Sequence, residues 1–206
     1  MKRKTSMMVV GMVGVALALT ACGDDSDDGG DSGSNDSGSS SAEGKVGVIL
    51  PDTESSVRWE SSDRPALEAA FKEAGVEYDI QNAEGDAEKM TTIADGMIAD
   101  GVTVLAIVNL DSESGAAIEE KAASQGVKTI DYDRLTLGGS ADYYVSFDNT
   151  KVGELQGQGL ADCLGDGDKN IIYLNGSPTD NNATLFAAGA HEVLDAISTY
   201  LSLIHI

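Results

Sequence analysis

Met90 to Asp111 reads MTTIADGMIADGVTVLAIVNLD, and this stretch decides the fold. Its first half sets Met90, Ile93, Ala94, Met97 and Ile98 on one face of a helix, at the spacing a 3.6-residue period requires. Gly101 ends that helix. The second half, Val102 to Val108, is a strand apolar enough to be covered on both faces, as the strands of a parallel sheet are. A helix running into such a strand is half of a β-α-β unit.

Outward from this pair the same alternation repeats. Upstream, Val46 to Leu50 is a β-branched apolar run that reads as a first, buried strand. A polar stretch follows to about Arg64, and Pro65 is tolerable in a helical first turn. Leu67, Ala70, Phe71 and Ala74 then fall at i, i+3, i+4 and i+7, with Gly75 as the stop, and Val76 to Ile80 reads as a second strand. Downstream, a weaker helix spans about Gly115 to Gln125, Val127 to Ile130 is a fourth strand, and Tyr143 to Phe147 a fifth. The expected fold is therefore α/β, a parallel sheet with helices on both faces. Residues 45–147 make the first lobe.

Past Phe147 a second series begins, with a helix over Val152 to Leu164, a strand over Asn170 to Leu174, and a helix marked by Phe186, Ala190, Val193, Leu194 and Ile197. A sheet of one strand cannot bury its faces, so residues 148–200 are expected to be the start of an incomplete second lobe. Leu201 to Ile206 match one reading frame of a transposon end used as a sequencing adapter, which makes 201–206 a candidate non-native tail. Cys163 falls in line with Val152, Leu155 and Gly159, and reads as a small buried hydrophobe.

The first 44 residues have another character. Lys2, Arg3 and Lys4 precede an apolar run from Met7 to Leu19, too short for a comfortable membrane span and suited to a signal peptide over residues 1–22. Residues 23–44 (GDDSDDGGDSGSNDSGSSSAEG) hold no apolar side chain larger than Ala, so burial cannot offset the entropy of ordering them; they read as a disordered acidic leash. The whole chain of 206 residues has 13 Lys and Arg against 35 Asp and Glu, a formal net charge of −22. That balance argues against nucleic acid and anionic headgroups as partners. With only Cys22 and Cys163 there is no disulfide framework within these 206 residues; the alternative for Cys163 is a partner in a downstream segment.

An enzyme reading lacks its parts. Pro51-Asp52-Thr53-Glu54, after the first strand, offers no glycine-rich phosphate cradle, and there is no G-x-S-x-G elbow. His191 and His205 are isolated and near the C-terminus, so no Ser/His/Asp set and no metal cluster is expected, and no cofactor. Asp131 and Asp133, alternate residues of one strand end, read as shared binding geometry rather than as an acid and a base.

Ligands of such sheets sit beyond the carboxyl ends of the strands. There the sequence places Arg58 and Trp59, Asp133 and Arg134, and, after the strand of the second series, Asp180 and Asn182. Sugar hydroxyls both donate and accept, which matches Asp and Asn as acceptors and Arg as a planar donor fork. An aromatic plane suits the C–H face of a pyranose, and Trp59 is the single tryptophan; the alternative is that it fills core space. Asp180 could instead cap the helix that follows it, and Asp148 is expected to cap the Val152 helix.

Four stretches carry a family resemblance: Ser55-Ser-Val-Arg58-Trp59; Tyr132-Asp133-Arg134-Leu135; Phe147-Asp148-Asn149 with Lys151-Val-Gly-Glu-Leu-Gln156; and Gly176-Ser-Pro-Thr-Asp180-Asn-Asn182. In this order they resemble the type I periplasmic sugar-binding proteins of ABC importers, xylose-binding and multiple-monosaccharide receptors in particular, over about Lys45 to Ile197. The resemblance implies sugar contacts from Arg58, Asp133, Arg134, Asp180 and Asn182, with Trp59 as a stacking plane. It implies a monomeric receptor that captures a xylose-like monosaccharide for membrane permease subunits, or a sensor of the same fold. Leu19-Thr20-Ala21-Cys22 likewise resembles the lipobox of bacterial lipoproteins, which implies a diacylglycerol on Cys22 and a place on the outer face of the cell membrane.

Overall fold

A computed structural model describes residues 44–197 and the backbone of 200–205. The expected signal peptide, Cys22 and the expected leash up to residue 43 lie outside the described residues, as do residues 198, 199 and 206 and the side chains of 200–205. Strands and helices alternate as β1 (Lys45–Leu50), α1 (Arg64–Ala74), β2 (Glu77–Asn82), α2 (Ala87–Ala99), β3 (Val104–Ile107), α3 (Ser112–Ser124), β4 (Lys128–Tyr132) and β5 (Tyr143–Val145). They continue as α4 (Asn149–Leu164), β6 (Lys169–Tyr173), α5 (Asn181–Leu194) and β7 (Tyr200–His205).

The first five strands form one parallel sheet in the order β2-β1-β3-β4-β5. Period-two alternation divides each central strand between two cores. On one face Ile49, Leu105 and Ile107 pack with Met90, Ile93 and Met97 of α2 and Ile118 and Ala122 of α3. On the other, Val48, Leu50 and Val108 pack with Trp59 and Ile80, bordered by Leu67 and Phe71 of α1. The order reverses between β1 and β3, and the carboxyl ends of those strands open a crevice at that switch point.

Asp residues start the helices. Asp86 accepts from Glu88 N and Lys89 N, Asp111 from Ser114 N, Asp148 from Lys151 N and Asp180 from Asn182 N. Each such cap contributes about 1 kcal/mol by satisfying a backbone donor the helix itself leaves open. The expected Asp148 cap is present, and α4 starts at Asn149 instead of Val152 because of it. At its other end α1 closes on Gly75, whose φ of +66° fits the left-handed cap without a Cβ clash.

Three expectations change. Val76 was expected to open the second strand, but β2 runs from Glu77 to Asn82, following its ladder with β1 to Leu50. The second sheet has two strands, because β7 pairs in parallel with β6 through a bulge between Ile171 and Ile172. A bare strand edge offers unpaired N–H and C=O groups, and a β-prone run at the right distance satisfies them. Cys163 is exposed, not buried. The buried side of α4 is Asn149, Gly153 and Gly157, so the line through Leu155 and Gly159 faces outward.

Glycine sets that side. A Cβ on Gly153 would lie 2.2 Å from the Phe186 carbonyl oxygen, and one on Gly189 would lie 2.1 Å from that of Thr150. The backbones of α4 and α5 touch at both positions, which no other residue allows.

Candidate functional site

The loop after β1 is folded by Asp52. Its carboxylate accepts from Glu54 N at 2.8 Å, Ser55 N at 2.5 Å and Ser55 Oγ at 2.7 Å. This Asx-type turn aims Ser55 Oγ into the crevice, where it accepts from Trp59 Nε1 at 3.3 Å and from Arg134 Nη2 at 3.4 Å. The polar stretch that the sequence left unassigned then forms a π-helical turn over Trp59–Asp63, just before α1. Trp59 is 3% exposed and packs in the α1-side core. The Arg58 guanidinium lies 4.2 Å from the centroid of its ring, and that of Arg134 lies 5.7 Å away. Trp59 is thus core on one side and wall of the crevice on the other.

Beyond β4 the chain turns sharply at Asp133. Its φ is +67°, and Arg134 N donates at 2.8 Å to the Tyr132 carbonyl two residues back. That is a γ-turn of the rarer, strained hand, held by Asp133 N donating to Val145 O at 2.8 Å and by Ser146 Oγ donating to the Asp133 carbonyl at 2.8 Å. The turn sends the Asp133 side chain to Arg58, whose Nη2 donates to Oδ1 at 2.9 Å. It also separates Asp133 from Asp131. The latter is buried and accepts from Thr136 N at 2.6 Å and Thr136 Oγ1 at 2.7 Å. The shared binding geometry expected of this pair is therefore corrected: Asp131 braces a loop, because the turn breaks the strand alternation that would have kept the two together.

Arg134 reaches across the crevice. Nη1 donates to Asn109 O at 3.1 Å, and Nε forms an ion pair with Asp180 Oδ2 at 3.1 Å, without the alignment of a hydrogen bond. Asp180 thus does two jobs, as cap of α5 and as partner of Arg134. Asn182, on the first turn of α5, is 5% exposed; its Nδ2 donates to Asp133 O at 3.0 Å and to Asp133 Oδ2 at 3.3 Å. Its Oδ1 accepts from Asn149 Nδ2 at 2.7 Å.

Arg58, Trp59, Asp133, Arg134, Asp180 and Asn182 all line one cavity of about 420 Å³. Sequence reading passed over other lining groups, Ser55, Phe147, Asn149 and Phe186. Ser55, Phe147 and Asn149 had a signal, since they belong to the Ser55–Trp59 and Phe147–Asn149 stretches; Phe186 read only as an apolar residue of its helix. A second cavity, of about 280 Å³, opens on the β6 side against α4 and α5 and has no charged side chain in its wall.

The electrostatics follow from burial. Loss of water pushes the Asp133 carboxyl above its ordinary value, and Arg58 and Arg134 offset only part of that. Burial pulls the Arg58 guanidinium down, yet Asp133 and Asp63 outweigh it and leave Arg58 more firmly protonated than usual. Charges held this way are costly to leave half-satisfied, so the set responds strongly to a polar ligand that replaces one partner with another.

This parallel sheet, with a crevice at the carboxyl ends of its strands rich in hydrogen-bonding groups from two chain segments, is the α/β architecture of the periplasmic-binding-protein type I fold. The periplasmic binding protein domain matches residues 46–204, and the chain belongs to that family. It is 36% identical over 152 residues to the D-xylose-binding periplasmic protein of Escherichia coli (strain K12), covering 74% of this chain and 45% of that protein. It is 38% identical over 157 residues to the multiple sugar-binding periplasmic receptor ChvE of Rhizobium radiobacter, covering 74% of this chain and 44% of the receptor. Among solved structures, a carbohydrate transporter solute binding protein from Chloroflexus aurantiacus in complex with D-glucose superposes with a TM-score of 0.70 at 36% identity, over 76% of this chain and 47% of that one. The chain spans less than half the length of these curated relatives.

Proposed function

We propose that this protein is the substrate-binding lipoprotein of an ABC sugar importer, taking D-xylose or a related aldose into the crevice and passing it to a membrane permease. The observation that carries this reading is the convergence on one cavity of two guanidinium groups, two carboxylates, two carboxamides and an indole. A pyranose presents hydroxyls that donate and accept around a ring with apolar faces, and this set is matched to it. Capture needs no bond-making and no cofactor. Because Asp180 and Asn182 come from α5 and Asp133 and Arg134 from the end of β4, a bound sugar favours the arrangement in which both segments reach it.

Calorimetric titration against a panel of neutral monosaccharides tests the reading. Arg134→Ala and Asp180→Ala are each expected to abolish the sugar-induced change in Trp59 fluorescence; unchanged titrations in both variants would remove these residues from the site. Genes for a permease and a nucleotide-binding subunit beside this one support transport, and a sensor kinase gene in their place sinks it.

The anchor is Cys22. Acyl chains contribute roughly 0.8 kcal/mol per buried methylene, and two or more hold a protein on a bilayer durably. The leash then lets the receptor range over distances on the order of tens of ångströms as a monomer. Fatty-acid labelling that survives Cys22→Ser would defeat this part of the proposal.

A further inference from the structure

Asp63 does not line the cavity. It stands on the other side of Arg58, in the wall of a neighbouring cavity of about 440 Å³ that shares Arg58, Asp133 and Phe147 with the first. Its Oδ2 accepts from Arg58 Nε at 2.9 Å and its Oδ1 from the Tyr132 hydroxyl at 2.6 Å, so both oxygens are used and both partners are fixed. Arg58 is in turn held at its other end by Asp133 and lies over Trp59.

The contact depends on the π-helical turn. In an α-helix successive residues are about 100° apart, so a residue five positions on would point about 140° away from Arg58. Here Arg64 N–H closes onto the Trp59 carbonyl five residues back, and the wider turn brings Asp63 beneath Arg58. The Tyr132 hydroxyl comes from β4, on the far side of the sheet order from the turn. Burial first, and then Asp63, push that hydroxyl to a pKa of about 12, so it stays a donor. An Arg side chain has several rotatable bonds, and its ordering is costly unless both ends of the fork are held.

We propose that Asp63 is a positioning residue: through the π-helical turn and the Tyr132 hydroxyl it holds the Arg58 guanidinium over Trp59 and against Asp133, in the orientation in which Arg58 presents its free N–H groups to a sugar. The inference rests on the sugar-binding reading of the same crevice.

The test uses the 206-residue chain, in which Trp59 is the single tryptophan. Asp63→Asn, Asp63→Glu and Tyr132→Phe are compared with the parent by ligand-free Trp59 emission, iodide quenching of that emission, thermal midpoint, and titration with D-xylose and D-glucose. Asp63→Asn shifts the ligand-free emission, raises quenching and weakens sugar affinity about 10–100-fold, the loss expected for a charged hydrogen bond. Tyr132→Phe moves the same readouts in the same direction by less, and Asp63→Glu restores part of the loss. Should Asp63→Asn fail to fold, Tyr132→Phe, which removes one hydroxyl, decides by the same readouts. Emission, quenching and affinity at parental values in a folded variant overturn the role. If the parent binds neither sugar, the binding reading fails by itself, and the ligand-free emission still separates a displaced Arg58 from one that never needed Asp63.

Discussion

Between Lys45 and Val145 the sheet is covered on both faces, with Leu105, Ile107, Met90 and Met97 in one core and Val48, Leu50 and Val108 in the other, each at most 1% exposed. Between Asn149 and His205 the buried apolar cluster among the described residues is Ile171, Tyr173 and Leu194, while Ile172 is 63% and Leu174 80% exposed. The first region is held by interdigitated side chains, the second by two helix backbones brought together at Gly153 and Gly189. A core built from many side chains tolerates the loss of neighbours at its rim. A contact built from two glycines has no such redundancy.

Substitutions can break this comparison. Leu105→Ala leaves a cavity where the surroundings cannot collapse, and is expected to cost about 2–5 kcal/mol in chemical denaturation. Ile171→Ala, in the sparser cluster, should fall at the lower end of that range; equal costs would mean that the two regions are packed alike. Gly153→Ala drives a methyl into the Phe186 backbone and is expected to cost about 1–3 kcal/mol. Hydrogen exchange should show α4 and α5 amides losing protection while β1 and β3 keep theirs, and uniform loss would make the whole chain one cooperative unit.

The smallest effect sharpens the first region. Glu119 on α3 is fully buried, accepts from Ser140 N, and leaves Oε1 without a hydrogen-bond partner. Burial raises its pKa above the ordinary 4.5, with Asp131 adding to the rise and Thr136 and Ser140 opposing it. A carboxyl whose folded pKa is raised contributes stability that is fully present below the unfolded value and is lost as pH rises through the folded one. Going from about pH 5 to pH 8, Glu119→Gln should therefore lose less stability than the parent. Parallel curves would show that the group titrates alike in both states.

Much of the first region was legible from Met90 to Asp111 outward, because buried parallel strands and amphipathic helices each write a periodic apolar pattern into the chain. The crevice was legible in part, since Arg58, Trp59, Asp133, Arg134, Asp180 and Asn182 all follow strand ends or sit on the turn beyond one. What periodicity missed had no apolar signature. The α4–α5 contact hides in glycines, so Cys163 was placed on the wrong side of its helix. Asp63 lies five residues from Arg58, a spacing that an α-helix sets about 140° apart and that the π-helical turn brings together.

From the sequence alone came the alternation of strand and helix, the acidic balance, and the residue types gathered at the strand ends, because each depends on local spacing or composition. The tertiary structure alone decided that β7 pairs with β6, that Asp131 and Asp133 part company at a strained turn, and that Trp59 is both core and crevice wall. Those outcomes depend on which groups distant in the chain come within a few ångströms of one another, and no local pattern records that distance.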